Sequence, residues 1–168
     1  MDYSRVFISV PVPKHIITIS HKIIKDLPTS ELSNIRPVPA DNLHLTLKFL
    51  GNISSLDLSN IQKHLGTIST KQNTFCVTTG SLKCYPHFRN PRVICLEIID
   101  AKKKLMKLKT AIDQILVQDG FNQDYRPYSP HLTLARTRQG DNRYSKQPLT
   151  QVLKLVGQIK PQIIPVNI

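Results

Sequence analysis

Tryptophan is absent, and only 6% of the residues are aromatic. The chain is therefore poorly stocked for a sheet that stacks successive bases, as RNA-recognition-motif proteins do. Cysteines number three, Cys76, Cys84 and Cys95, an odd count with no CxxC pair. That argues against a disulfide framework or a zinc site and for a reducing cytoplasm. Glycines number six, with no GxGxxG and no glycine-rich phosphate loop. The first apolar run, Val6 to Val10, is short and is broken by Pro11 and Pro13. It is too short for a membrane span and lacks the pattern of a signal peptide, so no membrane partner is expected. Acidic residues are also scarce: 11, against 23 lysines and arginines.

The formal charge of +12 and the sequence pI near 9.9 predict attraction to polyanions that weakens with salt. At 168 residues and 40% hydrophobic content, the chain makes one ordinary domain, or two small lobes sharing a core.

One phrase occurs twice. His44-Leu45-Thr46-Leu47 returns 87 residues later as His131-Leu132-Thr133-Leu134. Alternation with period two is a strand signal. On a strand, His and Thr share one face while the two leucines point to the other. If the copies lie in two similar lobes facing each other, two imidazoles and two hydroxyls converge on a cleft. A single such strand more often carries an ordinary surface histidine. Packing alone gives no reason to repeat His and Thr together.

Around the repeats, Arg5 to Val10 reads as a first strand and Lys14 to Leu27 as a helix ended by Pro28. Prolines make Ile35 to Ala40 extended. The first repeat strand runs from about Leu43 to Leu50 and stops at Gly51. Ser54 or Ser55 caps a helix carrying Leu58, Ile61 and Leu65, with Gly66 past its end. Phe75 to Thr79 and Arg92 to Ile99 are strands, separated by a loop over Lys83 to Pro91. The plainest helix runs from about Ala101 to Asp119, with Gly120 as its terminating residue. The second repeat strand spans His131 to Arg136. A short helix over Leu149 to Val156 and a last strand over Ile163 to Ile168 complete an α+β pattern with two sheets or one split sheet.

Histidine is the side chain best suited to exchanging protons near neutral pH. Two across a cleft can take a proton from an attacking oxygen and give one to a leaving oxygen. The threonines can donate to phosphoryl oxygens as charge develops. Lys48 shares the parity of His44 and Thr46 and is expected to add charge at the mouth. No Ser or Cys adjoins either His to form a nucleophile triad. Two isolated histidines without a carboxylate cluster make a poor metal site, so no cofactor is expected. Two His, hydroxyl donors and excess positive charge suit cleavage of a phosphodiester, a strained cyclic one above all.

With these residues the chain resembles the two-histidine phosphoesterase superfamily, whose mark is a doubled H-x-T-x motif. It is most similar to the RNA 2′,3′-cyclic phosphodiesterases, also called 2′-5′ RNA ligases. The resemblance runs through RVFISVPVP, PADNLHLTLKFLG, NPRVICLEI and GFNQDYRPYSPHLTLAR. It implies a bilobal α+β fold of pseudo-two-fold symmetry, with two antiparallel sheets, helices outside and the motifs facing a central cleft. It also implies metal-independent hydrolysis of an RNA-terminal 2′,3′-cyclic phosphate to a 2′-phosphomonoester; a cytoplasmic monomer is expected. His44 is then the proton donor to the 3′ oxygen and His131 the acceptor that activates water, while Thr46 and Thr133 hold the phosphate. Phe49, near a base, and Arg136, for phosphate, match further substrate contacts. Strict alternation would place these last two on the leucine face, away from the cleft unless the strands bend. Relatives continue past the last strand, so residues 1–168 are expected to form one bilobal domain with a shortened C-terminal strand region. Two other readings stay open: 2′-5′ ligation, the reverse reaction at the same site, and an RNA-binding module without turnover.

Overall fold

The structure, a computed structural model, describes residues 2–25, 35–87, 91–137 and 160–166. Among them are strands β1 (Tyr3–Pro11), β2 (Ile35–Pro37), β3 (His44–Ser54), β4 (Phe75–Tyr85), β5 (Val93–Ile99), β6 (His131–Thr137) and β7 (Ile163–Val166). The helices are α1 (Lys14–Lys25), α2 (Ser55–Ser69) and α3 (Lys104–Val117), with a 3-10 turn over Ala40–Asn42. The expected end of α1 near Leu27, the helix over Leu149 to Val156 and the last two residues lie outside the described residues.

The strands form one sheet in the order β1-β3-β6-β5-β4-β7, all pairings antiparallel, with β2 added beside β6. Its two halves meet at one registered pair, Leu45 opposite Leu132, both fully buried. The expected split into two sheets is realised as this narrow seam. Helices are exchanged between the halves. α1 follows β1 yet packs near β6, and α3 follows β5 yet packs on β3 and α2. Ile16, Leu105, Ile112 and Leu116 are buried in one core with the motif leucines.

The ladders beside the two motifs match residue for residue. Phe7, Ile8, Ser9, Val10 and Pro11 pair with Phe49, Lys48, Thr46, Leu45 and His44. Val93, Ile94, Cys95, Leu96 and Glu97 pair with Arg136, Ala135, Thr133, Leu132 and His131. Each ladder skips one residue at the same place, Leu47 in the first and Leu134 in the second. An extra residue in one strand is a β-bulge, which bends the strand and re-aims the side chains beyond it. A second bulge follows in β3, where Leu50 is skipped and Gly51 takes φ +78°. Glycine bears that backbone at little cost, so β3 continues to Ser54 instead of stopping.

Other boundaries shift for local reasons. Ser54 and Asp57 form a reciprocal capping box at the start of α2. Gly66 lies inside this helix, since a single glycine costs only about 1 kcal/mol there. α3 begins at Lys104 because the chain turns through Lys103, at φ 53°, and the Asp100 carboxylate accepts from the Lys104 and Met106 amides. β4 runs on to Tyr85, into the expected loop, because it pairs with β5 that far.

A buried ionic cluster fastens the halves. Lys48 Nζ donates to Asp113 Oδ1 at 2.6 Å and to the Asn122 carbonyl at 2.8 Å. Lys109 donates to the other Asp113 oxygen. The Tyr128 hydroxyl donates to the Thr46 carbonyl at 3.0 Å. Burial, with the Asp100 charge adding to it, pushes the Tyr128 phenol well above its ordinary range, so it stays a donor. The Asp113→Ala variant leaves two buried ammonium groups without their carboxylate. We expect a loss of about 3–5 kcal/mol in urea unfolding, against under about 1 kcal/mol for Asp57→Ala at the α2 cap.

All three cysteines are free. Burial raises the Cys84 thiol to about 11. Burial first, then the neighbouring Cys84 and Glu97, raises Cys95 to about 12. At pH 8 both are therefore protonated as well as enclosed, whereas Cys76 is exposed. Titration of the native protein with a disulfide reagent should find one fast thiol, lost in Cys76→Ser. Two further thiols should appear only on unfolding.

Candidate active site

The Leu45–Leu132 pair dictates the site. Carrying its antiparallel register one residue either way sets His44 across from Thr133 and Thr46 across from His131. Because the leucines point to the core, these four side chains share the opposite face, all half-buried. The histidines are diagonal neighbours, so their Cα atoms lie about 7–8 Å apart by sheet geometry.

Each ring is held in the same way. His44 Nδ1 lies 2.6 Å from the Asn42 carbonyl, and His131 Nδ1 lies 2.9 Å from the Ser129 carbonyl. A carbonyl only accepts, so Nδ1 carries the hydrogen and Nε2 is the nitrogen left for proton transfer. Both acceptors sit two residues upstream, which makes this a local device repeated with the motif. The rings differ in their aromatic neighbours. Phe7 stacks on His44 with centroids 4.6 Å apart, and Tyr85 lies tilted beside His131 at 5.8 Å. The Tyr85 hydroxyl is 3.2 Å from Ser129 Oγ, next to the carbonyl that holds His131.

The paired bulges overturn the simple alternation beyond each motif. Lys48 was expected at the mouth and instead lies in the core, 6% exposed, as one end of the Asp113 cluster. The extra residue, Leu47, puts two consecutive side chains on the buried face. The same bulge returns Phe49 to the face of His44. It is 64% exposed, with its ring 6.0 Å from Phe7. In the second copy Leu134 and Ala135 are both buried, and Arg136 comes out beside Thr133. Phe49 and Arg136 thus occupy equivalent positions, and both stand on the cleft side.

A groove of about 700 Å³ opens along this face. His44, Thr133, Arg136, Phe7, Arg36 and Asp41 are among the residues that line it. Thr46 and His131 are next along the β3–β6 pair and lie outside its lining. Cys95 faces Thr133 in register, but its raised pKa keeps it a protonated thiol and a poor nucleophile. Phe7, Tyr85 and Arg36 were not singled out from the sequence. Phe7 had a signal, being an aromatic at the polar parity of a strand that otherwise places Arg5 and Ser9 there. Tyr85 and Arg36 had none.

The family model "LigT like Phosphoesterase" matches residues 10–95 and 98–168. The RNA 2′,3′-cyclic phosphodiesterase of Bacillus subtilis is 30% identical over 139 residues, covering 82% of this chain and 74% of that protein. That of Aquifex aeolicus is 24% identical over 155 residues, covering 92% and 79%. Among solved structures, E. coli LigT complexed with 3′-AMP superposes with a TM-score of 0.68 at 27% identity, covering 97% of this chain and 84% of that one. The α+β fold is thus shared with the similar solved structure, and the chain belongs to the LigT-like phosphoesterase family.

Proposed function

We propose that the protein hydrolyses the 2′,3′-cyclic phosphate end of RNA, or of a nucleotide, to a 2′-phosphomonoester without a metal ion. The observation that carries this is the diagonal pair of histidines, each with Nδ1 tied to a backbone carbonyl and Nε2 without a partner among the described residues. His131 takes a proton from water as its oxygen attacks phosphorus. His44 gives a proton to the 3′ oxygen as its bond to phosphorus breaks. One histidine begins neutral and the other protonated, and solvent exchange restores both. Thr46 and Thr133 donate to the non-bridging oxygens as negative charge grows. Arg136 adds charge beside them, and Phe49 with Phe7 offers an apolar surface for the base.

Several findings support this reading. The curated relatives carry the phosphodiesterase name. The similar E. coli structure holds a nucleotide. Three free thiols fit a reducing cytoplasm.

Turnover of a 2′,3′-cyclic nucleotide end should persist in excess chelator and yield the 2′-phosphate. His44→Ala and His131→Ala should each lower kcat about 10²–10⁴-fold, and Thr46→Ala or Thr133→Ala about 10²–10³-fold. A substrate with sulfur at the 3′ bridging position separates the two histidine roles, because a thiolate leaves without a proton. On it His44→Ala should recover most of its rate and His131→Ala none. Dependence on added metal, or a full rate in either histidine variant, would refute the mechanism.

A further inference from the structure

β2 is antiparallel to β6, and its register sets Arg36 directly across from Arg136. Both arginines are exposed and both line the groove that holds His44 and Thr133. Like charges directly opposite on a sheet repel. Among the described residues neither guanidinium has a carboxylate within ion-pairing distance. Asp41 lines the same groove, so two positive charges stand against one negative. The placement is firm, because Val38 N donates to the Leu134 carbonyl at 2.8 Å and Pro37 and Pro39 stiffen the segment. An anion between two opposed guanidinium forks turns this repulsion into attraction, and phosphate suits them because each fork can hold two of its oxygens.

The reacting phosphate does not fill that position. It belongs among His44, Thr46, His131 and Thr133. The bulge at Leu134 makes Arg136 the next residue on that face after Thr133, a step of about 7 Å along the strand. Arg36 lies one strand further across, beyond the reach of the motif threonines. A nucleotide with a cyclic 2′,3′ end has one other phosphate nearby, on its 5′ oxygen, where an RNA chain continues. We propose that Arg36, with Arg136, forms a second phosphate subsite for that 5′-phosphate. The site thereby prefers a cyclic end that is 5′-phosphorylated, as every RNA terminus is, over a bare nucleoside 2′,3′-cyclic phosphate. This rests on the reading under Proposed function.

The test compares adenosine 2′,3′-cyclic phosphate with its 5′-phosphorylated form, in wild type, Arg36→Ala and Arg36→Lys. Wild type should favour the 5′-phosphorylated substrate about tenfold or more in kcat/KM, mainly through KM. In Arg36→Ala the ratio should fall below about twofold, and Arg36→Lys, with charge but no fork, should lie between. Calorimetry with adenosine 2′,5′-bisphosphate and adenosine 2′-monophosphate makes the same comparison without turnover. The bisphosphate should bind wild type about tenfold more tightly, and the two should converge in Arg36→Ala. A wild-type ratio near one in binding, or a ratio unchanged by Arg36→Ala, overturns the subsite. Failure of the enzyme to turn over either cyclic substrate would count against the phosphodiesterase, and the binding ratio would still decide the subsite.

Discussion

Leu45 and Leu132 meet where the two halves of the sheet join, and β3 and β6 share no other registered pair. That contact decides which side chains oppose one another across the seam. A slip of one residue would turn the slipped strand over, carrying His44 and Thr46, or His131 and Thr133, to the core and the two leucines of the same motif to solvent. The cost of exposing two fully buried leucines, about 1.5–3 kcal/mol each, guards the register. The chemistry on one face is thus held in place by apolar burial on the other. The ionic cluster around Asp113 and the Tyr128 hydroxyl reinforce it, since both tie β3 to the segment that leads into the second motif.

Much of this was legible in the residues. The doubled His-x-Thr-x phrase, its alternation and its leucines located both motif strands, their buried faces and the four central side chains. The flanking segments supported an α+β fold with two like halves. The misreadings share one physical origin. Alternation assumes an unbroken pleat, and each motif strand breaks its pleat immediately after the repeat. No glycine or proline marks these breaks, which fall at Leu47-Lys48 and Leu134-Ala135. The signal for a bulge lies in the partner strand, which is one residue short, and a single strand does not display it. Strict alternation therefore puts Lys48 at the mouth, where it is wrong, and leaves Phe49 and Arg136 reaching the cleft only if the strands bend, which the bulges make them do.

The same bulges make a nearly symmetric centre directional. Two-fold geometry by itself offers a substrate two equivalent orientations. Position five after each motif histidine breaks the tie, with phenylalanine in one copy and arginine in the other. The aromatic flanks differ as well, Phe7 stacked flat on His44 and Tyr85 tilted beside His131. One end of the cleft is therefore apolar and the other cationic, which suits a ligand with a base at one end and phosphate at the other.

The exchanged helices have a consequence for how such a chain arises. α1 leaves the first half to lie under β6, and α3 leaves the second half to lie under β3. Each half thus takes a helix of the other into its core, while α2 stays on β3 of its own half. A half-length chain could reach the same packing by pairing with a second copy and trading helices across the axis. Its histidine would then have met its own duplicate from the other molecule. Fusing the two genes would have freed each copy to diverge, and the phenylalanine-to-arginine difference is the kind of asymmetry that a dimer of identical chains can never acquire.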